Sequence, residues 1–182
     1  MFRTNHRGFT LPEVLVTVAI VAILAAVVVP AVTQQIGKGE SGQFVGSYQG
    51  GQTGVTSFVS DVHRFPVSLY QLSHATANGD SVMRFTLSSI ESSRWAGPYL
   101  QTEVATKGGT LPLAFGLAAK DTLWLDGTYL VTTITTAGTD SAKVAHVDSL
   151  VDGGDGRASG AVRWAVGTGS LDSAWIRITT FR

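Results

Sequence analysis

The chain has no cysteine among its 182 residues, which excludes a disulfide framework, a thiolate zinc site and a cysteine nucleophile together. Charge is scarce. Thirteen basic and 13 acidic side chains occupy 14% of positions, against roughly 25% in an ordinary globular domain, so the chain does not read as disordered or tail-rich. The two signs cancel, and no lysine or arginine cluster follows the first seven residues, which leaves no electrostatic footprint for nucleic acid. His6, His63, His74 and His146 are scattered, with no metal-ligand pair or nucleophile arrangement among them. Gly154, Gly156 and Gly160 imitate a dinucleotide fingerprint, but they precede a predicted strand instead of opening a helix after one. No internal repeat on the scale of roughly 20 to 50 residues is present. The 44% of hydrophobic residues suffices for one modest domain plus an appendage.

The appendage is N-terminal. Residues 1–8 carry Arg3, His6 and Arg7, and Phe9 to Val29 then runs with a single ionisable group, Glu13. A helix over that run is roughly 31 Å long, close to the roughly 30 Å hydrocarbon core of a bilayer. Basic residues before the run and none directly after it put the N-terminus in the cytoplasm and the bulk of the chain outside. A cleaved secretory signal shares the basic start. The length of the run, its carboxylate and the lack of a small-x-small site after it speak against that alternative. An ionised carboxylate in a membrane helix costs about 2.5 to 3.5 kcal/mol or more and needs a partner. Were the chain cut between Gly8 and Phe9, the new amine would lie one helical turn from Glu13 on the same face.

Gly8-Phe9-Thr10-Leu11-Pro12-Glu13-Val14 and the apolar run behind it resemble the cleavage and methylation signal of type IV prepilins and type II secretion pseudopilins. The resemblance implies that a membrane-embedded prepilin peptidase removes the leader after Gly8 and N-methylates Phe9, and that Glu13 registers subunits during assembly. Further partners it implies are other copies of the chain or other pilins, an assembly-platform membrane protein, and inner-membrane lipid before assembly. Pro12 stands where the family more often has an aliphatic residue; after cleavage it falls in the first helical turn, whose N–H groups have no intrahelical partner. Pro30 matches a proline common in the family. It removes one backbone bond and crowds the carbonyl of Ala26, so a kink or a locally melted turn is expected there.

From Ile36 to Arg64 the chain is glycine-rich, yet Phe44, Tyr48, Val55, Phe58, Val59 and Val62 fall within one helical stripe. Gly42, Gly46, Gly50 and Gly54 recur every fourth residue on a stripe nearly opposite. The apolar face is expected to dock on the globular domain. The glycine face would let helices of neighbouring subunits approach closely, as small-residue stripes do in membranes. Each interior glycine costs about 1 kcal/mol of helix stability relative to alanine, and a flexible linker is the alternative. Arg64-Phe65-Pro66 is expected to close the helix, because a residue before proline is biased out of the helical region. Val62 to Leu69 resembles the point where the long helix of pseudopilins gives way to the head. Trp95-Ala96-Gly97-Pro98-Tyr99-Leu100 is similar to a segment of the major pseudopilin, although the proline, tryptophan and glycine cluster that usually follows it is missing.

In the remaining chain, Ser81 to Arg94 is expected to form a short helix and Val144 to Leu150 a helical turn. Thr128 to Thr136, Ala161 to Val166 and Ala174 to Phe181 are β-branched and alternating. The last two are joined by Gly167-Thr168-Gly169-Ser170, a hairpin loop. The fold class is α+β, a long N-terminal helix packed on a small antiparallel sheet, as in pilins. Its parts are a leader (1–8), a transmembrane and assembly helix (9–32), a glycine-striped stalk (33–65) and a head (66–182). Asp148, Asp152 and Asp155 bring three carboxylates beside flexible backbone in the 148–156 loop, a donor set suited to calcium. Major pseudopilins hold calcium in a loop near this place, but the spacing does not complete an EF-hand, and the plainer alternative is an aspartate-glycine turn. Trp95, Trp124, Trp164 and Trp175 suit a glycan groove, or core and subunit contacts.

No enzymatic motif emerges. The chain reads as a non-enzymatic structural subunit, a pilin or pseudopilin. It begins as a single-pass precursor in the bacterial inner membrane with its head outside the cytoplasm, and ends in a periplasmic or extracellular filament. The competing class is a membrane-anchored adhesin or binding protein that never polymerises.

Overall fold

The computed structural model describes residues 9–136, 141–166 and 171–180; the leader with Gly8, the loop at 167–170 and Phe181 lie outside the described residues. The chain divides at Gly39/Glu40 into two compact units. Helix α1, Leu11–Val62, belongs to the first unit up to Gly39 and to the second from Glu40 onward.

In the first unit every residue from 9 to 39 along α1 and its approach is exposed, including Val14, Leu15, Ile20, Ile23, Leu24 and Val27. This is the one helix among the described residues that is long and apolar enough to cross a membrane. The threonine hydroxyls of its first unit are satisfied within the helix: Thr17 Oγ1 donates to the Val14 carbonyl at 2.9 Å, and Thr33 Oγ1 donates to the Val29 and Pro30 carbonyls at 3.1 and 3.0 Å. That self-sufficiency is what a segment without water contacts requires. The helix runs through Pro30 without a melted turn, so the single N–H that proline removes does not end it.

In the second unit the apolar stripe behaves as the periodicity predicts. Phe44, Val55, Phe58 and Val62 are buried, with Tyr48 and Val59 partly so. After α1 come a short helix α2 (Tyr70–Ser73), a hairpin of β1 (Ser81–Val82) and β2 (Phe85–Thr86), and a second short helix α3 (Ser89–Ser93). The stripe packs on a five-stranded antiparallel sheet formed by β3 (Thr110–Pro112), β4 (Leu117–Asp126), β5 (Tyr129–Thr136), β6 (Val162–Val166) and β7 (Leu171–Thr180), in the order β3-β4-β5-β7-β6. Val55, Phe58 and Val62 meet Leu72, Leu123, Leu130 and Ile178 in one core cluster. Phe44 meets Leu117, Ile134, Val162, Ala174 and Ile176 in a second, where α4 (Ser141–Val151) adds Val144 and Val147. The architecture is therefore α+β, as expected.

Several local expectations are corrected. Helix α1 ends at Val62 because His63 takes a left-handed backbone (φ 62), its N–H closing on the Val59 carbonyl at 2.9 Å, before the proline acts. Ser81 to Arg94 is not one helix. It opens as the β1–β2 hairpin, turning at Met83–Arg84 with Arg84 at φ 65. A helix follows only with α3, where Ser88 and Glu91 form a capping box. Val82 and Leu87 are buried while Phe85 and Ile90 are exposed, so the four apolar residues share no helical face. The Val144 to Leu150 turn is a three-turn helix. Strand β4 is hidden from pattern reading because a carboxylate, Asp121, takes a core-facing place in its alternation, after the short side chains of Ala118 and Ala119. Its pairing with β5 shifts register between Ala119 and Leu123, where Thr132 Oγ1 donates to the Lys120 carbonyl at 2.8 Å.

Candidate functional site

The residues that the sequence singles out lie in three places: the chain start, the glycine face of α1 and the aspartate cluster.

At the chain start, Phe9 is 82% exposed. The first helical bond joins the Val14 N–H to the Thr10 carbonyl at 3.2 Å, so Thr10 stands at the N-cap with Pro12 in the first turn. Glu13 Oε2 accepts the Thr10 N–H at 3.4 Å, one half of a capping box. The acid thus turns back toward the residue next to Phe9. Thr10-Leu11-Pro12-Glu13 has the S/T-x-x-E spacing that could have announced this from the sequence.

The glycine face is not uniform. A Cβ added at Gly42, Gly46 or Gly50 meets nothing within 4 Å, whereas at Gly54 it would stand 2.8 Å from the Tyr99 carbonyl oxygen. Gly54 is buried, which corrects its expected place on an outward stripe. A four-residue step advances about 40° beyond a full turn, so three steps carry the stripe round into the apolar face. Gly46 and Gly50 instead line one wall of an open groove of about 620 Å³, with Gln43 and Thr53 beside them and Tyr99 and Leu100 opposite.

The aspartate cluster sits where α4 hands over to β6. Val144, Val147 and Asp148 are the buried positions of α4, so a carboxylate occupies the i+4 place of an apolar stripe. One oxygen each of Asp148, Asp152 and Asp155 lie within 4.8 Å of one another. Asp148 Oδ2 accepts the Gly156 N–H at 3.2 Å, and Asp152 Oδ2 accepts the N–H groups of Ala161 and Val162. Their other oxygens, Asp148 Oδ1 and Asp152 Oδ1, are buried without a hydrogen-bond partner. Asp148 is only 2% exposed, and burial pushes its carboxyl above the usual carboxylate range, reinforced by its contact with Asp152. Two orphaned buried oxygens and a third carboxylate fit a hard divalent cation with oxygen ligands. Left-handed glycines at 153, 154 and 156 (φ 83, 77 and 96) turn the backbone between these carboxylates.

The tryptophans do not make one groove. Trp124 and Trp175 pair with Val131 and Arg163 on the sheet face away from α1, Trp164 pairs with Ala174 on the core side, and Trp95 donates to the Gln71 carbonyl at 2.9 Å. His74 stacks on Tyr70 with its Nε2 2.8 Å from Glu103. Among the described residues the Asp148–Asp152–Asp155 group is the one candidate metal cluster.

Residues 3–29 match the prokaryotic N-terminal methylation motif, the signature of type IV pilins and pseudopilins. No curated protein and no solved structure matches the chain.

Proposed function

From the methylation motif at residues 3–29 we propose that the chain is a prepilin-like structural subunit, cut after Gly8, methylated on Phe9 and assembled through α1 into a helical filament. The observation that carries this reading is an acid at a fixed distance from the cut. Glu13 already bonds toward the chain start through Thr10, where cleavage would release an amine. In lipid an unpaired Glu13 costs about 2.5 to 3.5 kcal/mol, and the amine of the same or a neighbouring subunit removes that cost. Where the amine is a neighbour's, misregister restores that cost, a preference of roughly a hundredfold for correct register. Gly42, Gly46 and Gly50, open along α1, suit close approach of a neighbouring helix. The subunit would act as a mechanical element, drawn from the inner membrane into a pilus or secretion pseudopilus with other pilins on an assembly platform.

Asp148, Asp152 and Asp155 are proposed as calcium ligands in this subunit. Calcium there supplies charge neutralisation. The chain's part is to keep Asp148 Oδ1 and Asp152 Oδ1 free for the ion while Asp148 Oδ2 holds the loop at Gly156 and Asp152 Oδ2 fastens it to the start of β6.

Mass spectrometry of the mature N-terminus tests the function. N-methylated Phe9 and filaments visible by electron microscopy are expected, with filament yield lost in Glu13→Val. A mature chain that keeps Met1, or begins beyond Val32, would instead mark a signal-bearing or anchored binding protein.

A further inference from the structure

Calcium ligation by Asp148, Asp152 and Asp155, the reading on which this inference rests, leaves open what lets three carboxylates crowd together. We infer that Gly160, five residues beyond the last of them, is the positioning residue of this site, because the space its missing side chain leaves is occupied by the ligands themselves.

A Cβ built on Gly160 would overlap Asp152 Oδ2 and stand 2.5 and 2.7 Å from the two carboxylate oxygens of Asp155. Distances that short do not occur at real Cβ atoms, so one side must move. Gly160 cannot retreat easily. Its carbonyl accepts Arg177 Nη1 at 3.0 Å, and the next carbonyl, of Ala161, accepts the Arg177 N–H at 2.8 Å, tying this backbone to β7. The carboxylates are the movable partners. Displacing Asp152 also strips the Ala161 and Val162 N–H groups of their acceptor. Displacing Asp155 removes the third ligand, leaving Asp148 Oδ1, buried and unpartnered, with too few companions to hold a cation.

Gly160 also has φ 70, so alanine there carries backbone strain as well as the clash. Gly153 separates the two. It lies in the same loop with φ 83 but meets nothing within 4 Å of an added Cβ.

The test is calorimetric titration of calcium chloride into the full chain in detergent micelles, for wild type, Gly160→Ala and Gly153→Ala. Expected are calcium binding by wild type, an affinity within about threefold of it for Gly153→Ala, and a loss of tenfold or more for Gly160→Ala. Equal binding by Gly160→Ala and wild type overturns the role of Gly160 while sparing the calcium reading. Equal losses in both variants assign the effect to strain and overturn it too. Absence of binding in wild type overturns both. Should Gly160→Ala not fold in calcium-free buffer, its near-ultraviolet circular dichroism is compared with and without calcium. The inference expects no recovery, and restoration by calcium overturns it.

Discussion

The Cα of Gly54 lies so close to Tyr99 that a single added methyl would stand 2.8 Å from the Tyr99 carbonyl oxygen and 3.2 Å from Leu100 Cδ2. Tyr99 is held in turn from several sides. Its N–H donates to the Leu72 carbonyl at 2.7 Å, its hydroxyl donates to Asp61 Oδ2 at 2.8 Å, and its ring meets Phe58 edge-on. The segment after Trp95 is thereby clasped to α1 at the one glycine of the four that the helix cannot replace.

Gly54→Ala and Gly50→Ala are therefore expected to move stability in opposite directions. Alanine at an unobstructed helical site gains about 1 kcal/mol. At Gly54 the backbone collision costs about 1 to 3 kcal/mol, outweighing that gain. Thermal unfolding should place Gly50→Ala above wild type and Gly54→Ala below it. If helix packing in the filament uses the open face, Gly46→Leu with Gly50→Leu lowers filament yield without unfolding the head; an unchanged yield rejects that packing.

Asp121 joins three segments. Its Oδ1 accepts the Tyr70 N–H at 2.6 Å, its Oδ2 accepts the Gly108 N–H at 2.7 Å, and its carbonyl accepts the Leu69 N–H at 2.8 Å, all at 3% exposure. Asp121→Ala leaves two N–H groups without their acceptor and is expected to cost roughly 3 kcal/mol in urea unfolding. Asp121→Asn keeps one acceptor and should lose about half as much.

Glu91 gives a pH test. The Ser88 N–H and hydroxyl, then Arg64, hold its carboxyl down at about 2 from an ordinary 4.5. A lowered acid contributes stability that is complete above its unfolded pKa and is lost as pH falls through the folded one. Glu91→Gln should be less stable than wild type at about pH 6, with the gap shrinking below about pH 4.5 and most of it gone by about pH 2. A gap that persists unchanged in acid would remove the electrostatic account.

Asp148→Asn should have opposite consequences with and without calcium. Burial raises the Asp148 carboxyl, so its charged form costs the calcium-free fold at neutral pH, and the neutral amide relieves that cost. In chelator the variant is expected to melt above wild type. In saturating calcium wild type gains and the variant does not. Thermal stability of wild type that ignores both additions rejects the metal.

Periodicity made much of the fold legible. The stripe from Phe44 to Val62 and the alternating strands near Thr128, Ala161 and Ala174 follow from one buried face each. The strand through Asp121 and the hairpin at Ser81 did not announce themselves, since a buried acid at a core-facing position and a left-handed Arg84 break the repeats that pattern reading depends on. The acids at 148, 152 and 155 were visible as residues, but the burial of the first was not.

The order of residues alone determined the apolar N-terminal run, its single acid and the methylation motif, because these are properties of contiguous chain. Which glycine is spent inside and which carboxylate oxygens are left unpaired was decided only by tertiary structure. The first depends on residues far apart in sequence, Tyr99 and Gly54, arriving at the same point in space, and the second on how the loop from Asp148 to Val162 folds back on itself.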